Sequence, residues 1–281
     1  MNNMEMKDSN RKVKGLFVGL CTKDTIFYAD SLPLHNHKVK TTEFATYIGG
    51  PAANAAITYA ALGGDATLAT CLGNSMESHM LIEQLESYGV SVLNYSDYDV
   101  LPNVASIVVT GDGKRTIVSG QQPFCVNKEY DLQCFDFVLF DCNQQEISLD
   151  ILKLSDDKVI VLDAGSYKPN MNIFLEKADI IIASEDFKDE NGMNVFSMTS
   201  KAKHRAITRG DAPVLYNGKE LPVCKVNAVD TLGAGDIFHG AFCYAYFEDR
   251  TTCEDALLFA AKVAGESVKY QGPREWIKYW R

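Results

Sequence analysis

The chain is short of several things, and each shortage excludes a class of protein. No apolar run approaches the roughly 18 residues that a membrane-spanning helix needs, so a membrane span is not expected. Positive charge is in deficit: 27 Lys and Arg face 37 Asp and Glu, for a formal net charge of −10. A broad surface for nucleic acid or an anionic membrane is therefore not expected, although a local basic pocket is compatible with this balance. The eight cysteines (Cys21, Cys71, Cys125, Cys134, Cys142, Cys224, Cys243 and Cys253) include no CxxC pair, and most stand in apolar strand-like or helical text. Buried reduced thiols and a cytoplasmic location follow as expectations, ahead of disulfides or metal ligands. His35 and His37 form an HxH pair with no acid or cysteine to complete a metal site, and are assigned to a loop. No internal repeat or low-complexity tract is present. Residues 1–12 are polar, lack the apolar core of a signal peptide and are expected to form a disordered lead-in.

What is present is an alternation of short β-branched runs with helical segments over 281 residues. That pattern predicts an α/β fold with a mostly parallel central sheet between layers of helices. "VKGLFVGL" (13–20) is expected to be a first buried strand, and "FDFVLFD", "KVIVLDA", "ADIIIAS" and "HRAITRG" later ones. "PAANAAITYAALGG" (51–64) has Pro at the start and Gly at the end of a helix packed closely through alanines. "MESHMLIEQLESYGV" places Met80, Leu81, Leu85 and Tyr88 at helical spacing, with Gly89 as the stop. In open parallel sheets ligands bind at the strand C-termini. Asp141, Asp163, Ser184 and Thr208 stand there, as site residues or as strand-end caps. Two stretches, 24–48 and 104–120, instead alternate apolar and polar residues around turn signals such as "GDGK" (111–114). They predict a small antiparallel β-sheet lid, and a homodimer formed through that sheet.

The stretch that carries most chemistry is "VDTLGAGDIFHGAF" (229–242). Gly233, Ala234 and Gly235 precede Asp236 at the start of a helical run. Small residues let the backbone turn and its N–H groups be approached, and a helix N-terminus favours anions. A carboxylate set among groups that attract anions points to chemistry on that anion, and the turn alone leaves open which anion it is. A dinucleotide-binding fingerprint fails here, because Phe238 occupies the third glycine position and the motif is close to the C-terminus.

Together with "YIGGPAANAAITYAALGGDATL" (47–68), this stretch resembles the two signatures of the ribokinase/PfkB family of sugar kinases, over about residues 13–272. "GDGKRTIV" and "FAAKVAGESVKYQG" look most like its ketohexokinase and sulfofructose kinase branch. The resemblance implies a ribokinase-like kinase domain over residues 13–281. It implies transfer of the γ-phosphoryl group of ATP to a sugar hydroxyl, a ketose or modified ketose being favoured. Asp236 would be the general base and Gly233–Gly235 the anion hole. Asp24, Gly49, Gly50 and Asn54 would hold the sugar. Arg115 and Lys38 on the lid would reach substrate or phosphate, or else be ordinary solvated charges. Ser184, Thr208, Gly210, Ala261 and Gly265 would flank ATP, together with Gly233 and Gly235. Ala261 and Gly265 (i, i+4) fit close helix packing equally well. Asp230 corresponds to a loop that binds a monovalent cation such as K⁺.

Three departures bear on these roles. The family's N-x-x-E motif is replaced by "ASEDF", with Ser184 for Asn and Phe187 for Glu. Glu185 or Asp186 would then assist Mg²⁺, through water in the case of Glu185. Pro51 stands where fructose-binding relatives often carry a polar residue, and Ser119 and Asn143 are neutral where a sulfonate pocket needs positive charge. Two alternatives stay open. One is a nucleoside kinase with Phe27, Tyr28 and Phe44 around a base, and the other is a catalytically silent sugar-binding or regulatory protein.

Overall fold

The computed structural model describes residues 11–41, 43–111, 115–120 and 129–280. In chain order its strands are β1 (Lys14–Val18), β2 (Thr22–Ala29), β3 (Glu43–Gly49), β4 (Asp65–Thr70), β5 (Val90–Asn94), β6 (Asn103–Thr110), β7 (Arg115–Gly120), β8 (Phe137–Phe140), β9 (Val159–Ala164), β10 (Ile180–Ser184), β11 (His204–Arg209), β12 (Ala212–Tyr216) and β13 (Lys219–Leu221). The helices used below are α1 (Pro51–Leu62), α2 (Met76–Ser87), α3 (Gln145–Lys153), α4 (Met171–Lys177), α5 (Ala234–Cys243) and α6 (Cys253–Ser267).

Among the described residues, nine strands form one sheet in the order β13-β12-β11-β10-β9-β8-β1-β4-β5. Pairing is parallel from β11 to β5, and only the β11–β12–β13 edge is antiparallel. Strands buried on both faces need near-continuous apolar runs, and all four residues of β8 are buried. Alternation along β1 divides the core. Phe17 packs with Tyr59, Phe137 and helices α1, α5 and α6 on one face, whereas Leu16 and Val18 pack with Phe140, Phe174 and helices α3 and α4 on the other. This is the α/β architecture expected from the sequence.

Helix ends follow local chemistry. Pro51 opens α1, and Gly63, left-handed at φ 116°, closes it. Ser75 and Thr252 accept the N–H groups of Ser78 and Asp255 and cap α2 and α6. On α2 Ser78, Leu81 and Leu85 face inward, but Met80 is 62% exposed, because it falls outside their arc, toward the far side of the helical wheel.

The second sheet has the order β3-β2-β6-β7. β2–β3 and β6–β7 are antiparallel, and a parallel β2–β6 pairing joins them. Thr22, Asp24, Ile26 and Tyr28 alternate onto the face turned toward the main sheet, with Ala105 and Ile107 of β6 beside them. Phe27 pairs with Phe44 on the opposite face, where Phe44 is 66% exposed. The turn expected at 111–114 lies largely outside the described residues, as do residues 1–10 of the lead-in.

Among the described cysteines six are free thiols, four of them buried. Cys71 corrects the expectation of reduced thiols, because it is disulfide-bonded. Cys71 stands just past the end of β4 and is buried, at 4% exposure.

Candidate active site

The first turns of α1 and α5 meet below the lid. Their close approach depends on Gly240, since a Cβ there would lie 2.3 Å from the Ala55 carbonyl oxygen. At α1 the chain turns through Gly50, whose φ of 94° and 2.2 Å virtual contact with the Leu20 carbonyl oxygen leave room for glycine alone. Asp141, buried just past β8, fastens this corner by accepting the N–H groups of Leu20 (2.9 Å), Ala52 (3.1 Å) and Asn143 (2.8 Å). Asp141 thus acts as a cap for α1 and the β1–β2 loop.

Between lid and corner lies a cavity of about 350 Å³, within the range typical of small-ligand sites. Asp24, Gly50, Asn54, Arg115, Gly233, Ala234, Gly235 and Asp236 all line it, as expected from the sequence. Thr22 donates its hydroxyl proton to Asp24 at 2.5 Å. Burial raises the Asp24 pKa, while that hydrogen bond and the Arg274 charge oppose the rise. Gly49 acts indirectly: a Cβ there would stand 1.9 Å from Asp24 Oδ2, so its role is to leave space for the carboxylate. Arg115 spans from the lid to the motif loop by donating to Thr231 Oγ1 at 3.1 Å. Lys38 is exposed on a fully exposed segment, 31–40, and is not brought to the cavity.

Asp236 occupies the first turn of α5, directly after left-handed Gly233 (φ 74°). The Ala234 N–H is engaged by the Thr231 carbonyl at 3.3 Å, and Ile237 N–H bonds the Gly233 carbonyl. The Gly235 and Asp236 N–H groups are therefore the first-turn donors available to an anion. Asn54 Nδ2 donates to Asp236 Oδ2 at 2.6 Å. Burial pushes the Asp236 pKa up to about 7, and the Asp163 charge adds to the rise, while Asn54 and His239 oppose it.

Several residues around the base were not singled out for the site from the sequence, or only as strand ends. His239, one turn along α5, points Nδ1 at the Gly235 carbonyl oxygen (2.7 Å) and Nε2 at that of Ile182 (3.3 Å). Its Nε2 also lies 3.6 Å from Asp163 Oδ1. Arg274, 7% exposed, comes from the C-terminal segment. Its guanidinium donates to Asn54 Oδ1 (2.5 Å), the Ile48 carbonyl (2.9 Å) and the Pro273 carbonyl (3.1 Å). His239 lies inside the 229–242 stretch without being singled out there, whereas Arg274 lies outside both motifs and reaches the site only when distant segments meet.

A second cavity, about 220 Å³, lies on the other side of the Gly233–Gly235 turn and shares Thr231 and Ala234 with the first. Thr208, Gly210, Ala261 and Gly265 line it, beside Val223, Phe238 and Val268. A Cβ at Gly210 or Gly265 would meet nothing within 4 Å, so these glycines leave open space. That mostly apolar slot abuts the turn at the start of α5. Arg209 is at its edge, but its charge is held by Glu220 at 2.9 Å and its Nε by the Pro213 carbonyl.

Other expected residues are placed elsewhere. Ser184 lines neither cavity and donates to the Gly165 carbonyl at 2.7 Å. Phe187 is buried in the core at 1% exposure, so an aromatic ring occupies the position where the family motif carries Glu. Glu185 and Asp186 are exposed. Asp230 accepts the N–H groups of Leu232 and Gly272, both at 2.9 Å, and so ties the motif loop to the C-terminal segment. No group of three or more His, Cys, Asp or Glu suited to a metal occurs among the described residues, and none of their helices is long and apolar enough to cross a membrane.

The model of the pfkB family of carbohydrate kinases matches residues 14–278. The chain belongs to this family. It is thus a phosphotransferase with an alcohol group as acceptor. A ribokinase of Bacillus subtilis is 28% identical, with 89% of this chain and 91% of the relative covered. A deoxyribokinase of Salmonella typhi is 24% identical, with 91% and 94% covered. Among solved structures, the ribokinase of Thermotoga maritima superposes with a TM-score of 0.78 at 24% identity, covering 96% of this chain and 99% of that one.

Proposed function

We propose that this carbohydrate kinase transfers the γ-phosphoryl group of MgATP to a hydroxyl of a small sugar bound between the lid and α1. The observation that carries this reading is the place of Asp236: it lines a polyol-sized cavity beside a turn whose Thr231 and Ala234 also line a second, mostly apolar slot, and its pKa is raised to about 7. MgATP would supply the phosphoryl group, its Mg²⁺ neutralising charge on the phosphates. Asp24 accepts hydrogen bonds from sugar hydroxyls, and Gly50 lets the ring approach the backbone. Asp236 takes the proton of the attacking hydroxyl as the oxygen–phosphorus bond forms and the bond to the ADP oxygen breaks. The Gly235 and Asp236 N–H groups, with the α5 dipole behind them, hold the charge on the phosphoryl oxygens. Closure of the lid through Arg115 and Thr231 excludes water from the reaction.

For the acceptor, ribose and deoxyribose come first in the panel, a choice supported by the ribokinase and deoxyribokinase named above. Ketoses and modified ketoses stay in it on the strength of the motif resemblance to the ketohexokinase branch. The nucleoside alternative loses two of its aromatic candidates, because Phe27 and Phe44 lie on the lid face away from the cavity. A silent binding protein has no use for a base poised near neutrality beside an anion-binding turn. ADP release from MgATP across pentoses, ketoses, sugar acids and nucleosides tests the reading. Turnover with one sugar class supports it, and binding without turnover for every compound refutes it.

Two further elements belong to the same proposal. The outer lid face, where Phe44 and Val118 are 66% and 70% exposed, is the surface for a homodimer, testable by sedimentation. The other is a cytoplasmic location: the six free thiols among the described cysteines support it, and the bonded Cys71 weighs against it.

A further inference from the structure

Arg274 lies outside both sequence motifs, yet it is buried without a carboxylate in hydrogen-bond contact. Its acceptors are three carbonyl-type oxygens, those of Ile48, Pro273 and the Asn54 side chain, and its Nε meets no partner. The Tyr88 ring stacks 5.9 Å from the guanidinium carbon. Burying a cation this way is costly, so packing alone is a poor reason for it.

The chemistry of Asn54 supplies a better one. A carboxylate only accepts and a guanidinium only donates, so the Asn54 amide has one orientation that satisfies both neighbours. Oδ1 receives Arg274 Nη2 at 2.5 Å, and Nδ2 is thereby turned toward Asp236 Oδ2 at 2.6 Å. We propose that Arg274 is a positioning residue for the base: it locks the Asn54 amide so that Nδ2 holds one oxygen of Asp236 and the other is left to receive the acceptor's proton. The role rests on the reading of Asp236 as base, but the relay itself is a property of three side chains.

The charged and titratable groups around the relay come from every neighbouring element. Asp163 from β9, Asp141 beyond β8 and His239 on α5 surround Asp236, and Asp24, Cys21, Tyr88 and Asp236 surround Arg274. Arg274 is the cation bonded to the amide that holds the base, and burial pulls its own pKa down to about 10, so it stays charged across the working range. Without it the amide is free to flip. Oδ1 would then face Asp236, oxygen against oxygen, and the ionised base would be disfavoured.

The test uses full-length protein carrying aspartate labelled with ¹³C at the carboxyl carbon, in wild type, Arg274→Gln and Arg274→Lys. Asp236→Asn identifies the signal. The Asp236 titration is expected near pH 7 in wild type and about one unit higher in Arg274→Gln, with Arg274→Lys between them because it keeps the charge but not the fork. In the kinase assay a one-unit rise lowers kcat about fivefold at pH 7 and restores it toward wild type by pH 9. Loss of fold or of general packing would lower kcat equally at every pH. An unmoved Asp236 titration in both variants, or a pH-independent loss, overturns the relay. Should Arg274→Gln not fold, Arg274→Lys decides: a titration identical to wild type with kcat unchanged counts against the proposal. The nuclear signal needs no turnover, so failure of the kinase reading would appear separately, as wild type titrating near pH 7 without phosphorylating any acceptor.

Discussion

Gly49→Ala is a one-methyl change that should impair sugar binding by displacing the carboxylate proposed to hold the sugar, without altering that carboxylate's chemistry. A Cβ at this position falls 1.9 Å from Asp24 Oδ2 and 2.2 Å from its Cγ. Ordinary contact begins near 3.4 Å, so the carboxylate must retreat by roughly 1.5 Å. It is not free to do so, since Thr22 holds Oδ1 at 2.5 Å and the side chain is 8% exposed. Overpacking of this kind costs about 1–3 kcal/mol of stability. A hydrogen bond from a neutral hydroxyl to a charged group contributes about 1.5–3 kcal/mol, which corresponds to roughly a tenfold to hundredfold rise in KM for the sugar. The KM for ATP should change little, because Asp24 is remote from the nucleotide slot. Steady-state kinetics with each substrate varied in turn, together with a melting curve, separate the two effects. A folded Gly49→Ala enzyme with an unchanged sugar KM would refute the assignment of Asp24 as the sugar carboxylate.

Three other predictions follow from the surroundings of the base. Asp163→Asn removes the largest charge effect that raises Asp236, so the acid limb of kcat/KM should move below pH 7; a limb that stays in place contradicts that electrostatic account. Burial raises the Asp236 pKa from the ordinary aspartate value of 3.8 to about 7 on folding. The native state therefore holds a proton that the unfolded chain has lost between about pH 4 and 7, and stability falls as pH rises through that window. Asp236→Asn should remove that part of the slope and be the more stable protein above pH 7, as read from urea unfolding at pH 5 and pH 8; equal slopes in the two proteins would count against it. Gly235→Ala has open space around its new methyl group, so stability should hold or rise by up to about 1 kcal/mol. The methyl would nevertheless stand over the anion-binding turn and lower kcat/KM for ATP about tenfold; full activity would show that the turn does not bind phosphate.

The fold was legible because apolar strands and the Pro51 and Gly63 helix ends are local signals. The motif at 230–236 was legible for the same reason: its turn, its N–H groups and its acid lie within one stretch of chain. Other parts were not, since they depend on how distant segments meet. Gly49 was expected to admit the sugar, and the structure gives it to Asp24. Asn54 was expected to hold the sugar; it lines the cavity and also holds the base. Arg274 lies in ordinary C-terminal text, and only the folded chain brings it to Asn54; His239 stands within the 229–242 stretch, but its contacts with the Ile182 carbonyl and Asp163 arise only in the fold. Lys38 had the right charge on a lid segment, but its exposed loop carries it away from the cavity. A disulfide at Cys71 could not be inferred from spacing, because pairing is a property of proximity in space.

The most direct measurement compares wild type and Asp236→Asn for ADP release with MgATP and the best acceptor sugar, alongside calorimetric titration of that sugar. Asn keeps the size and loses the proton acceptor, so turnover should fall by about 10²–10⁴ while sugar affinity stays within a few fold of wild type. Turnover near wild type in Asp236→Asn would contradict the assignment of Asp236 as the base.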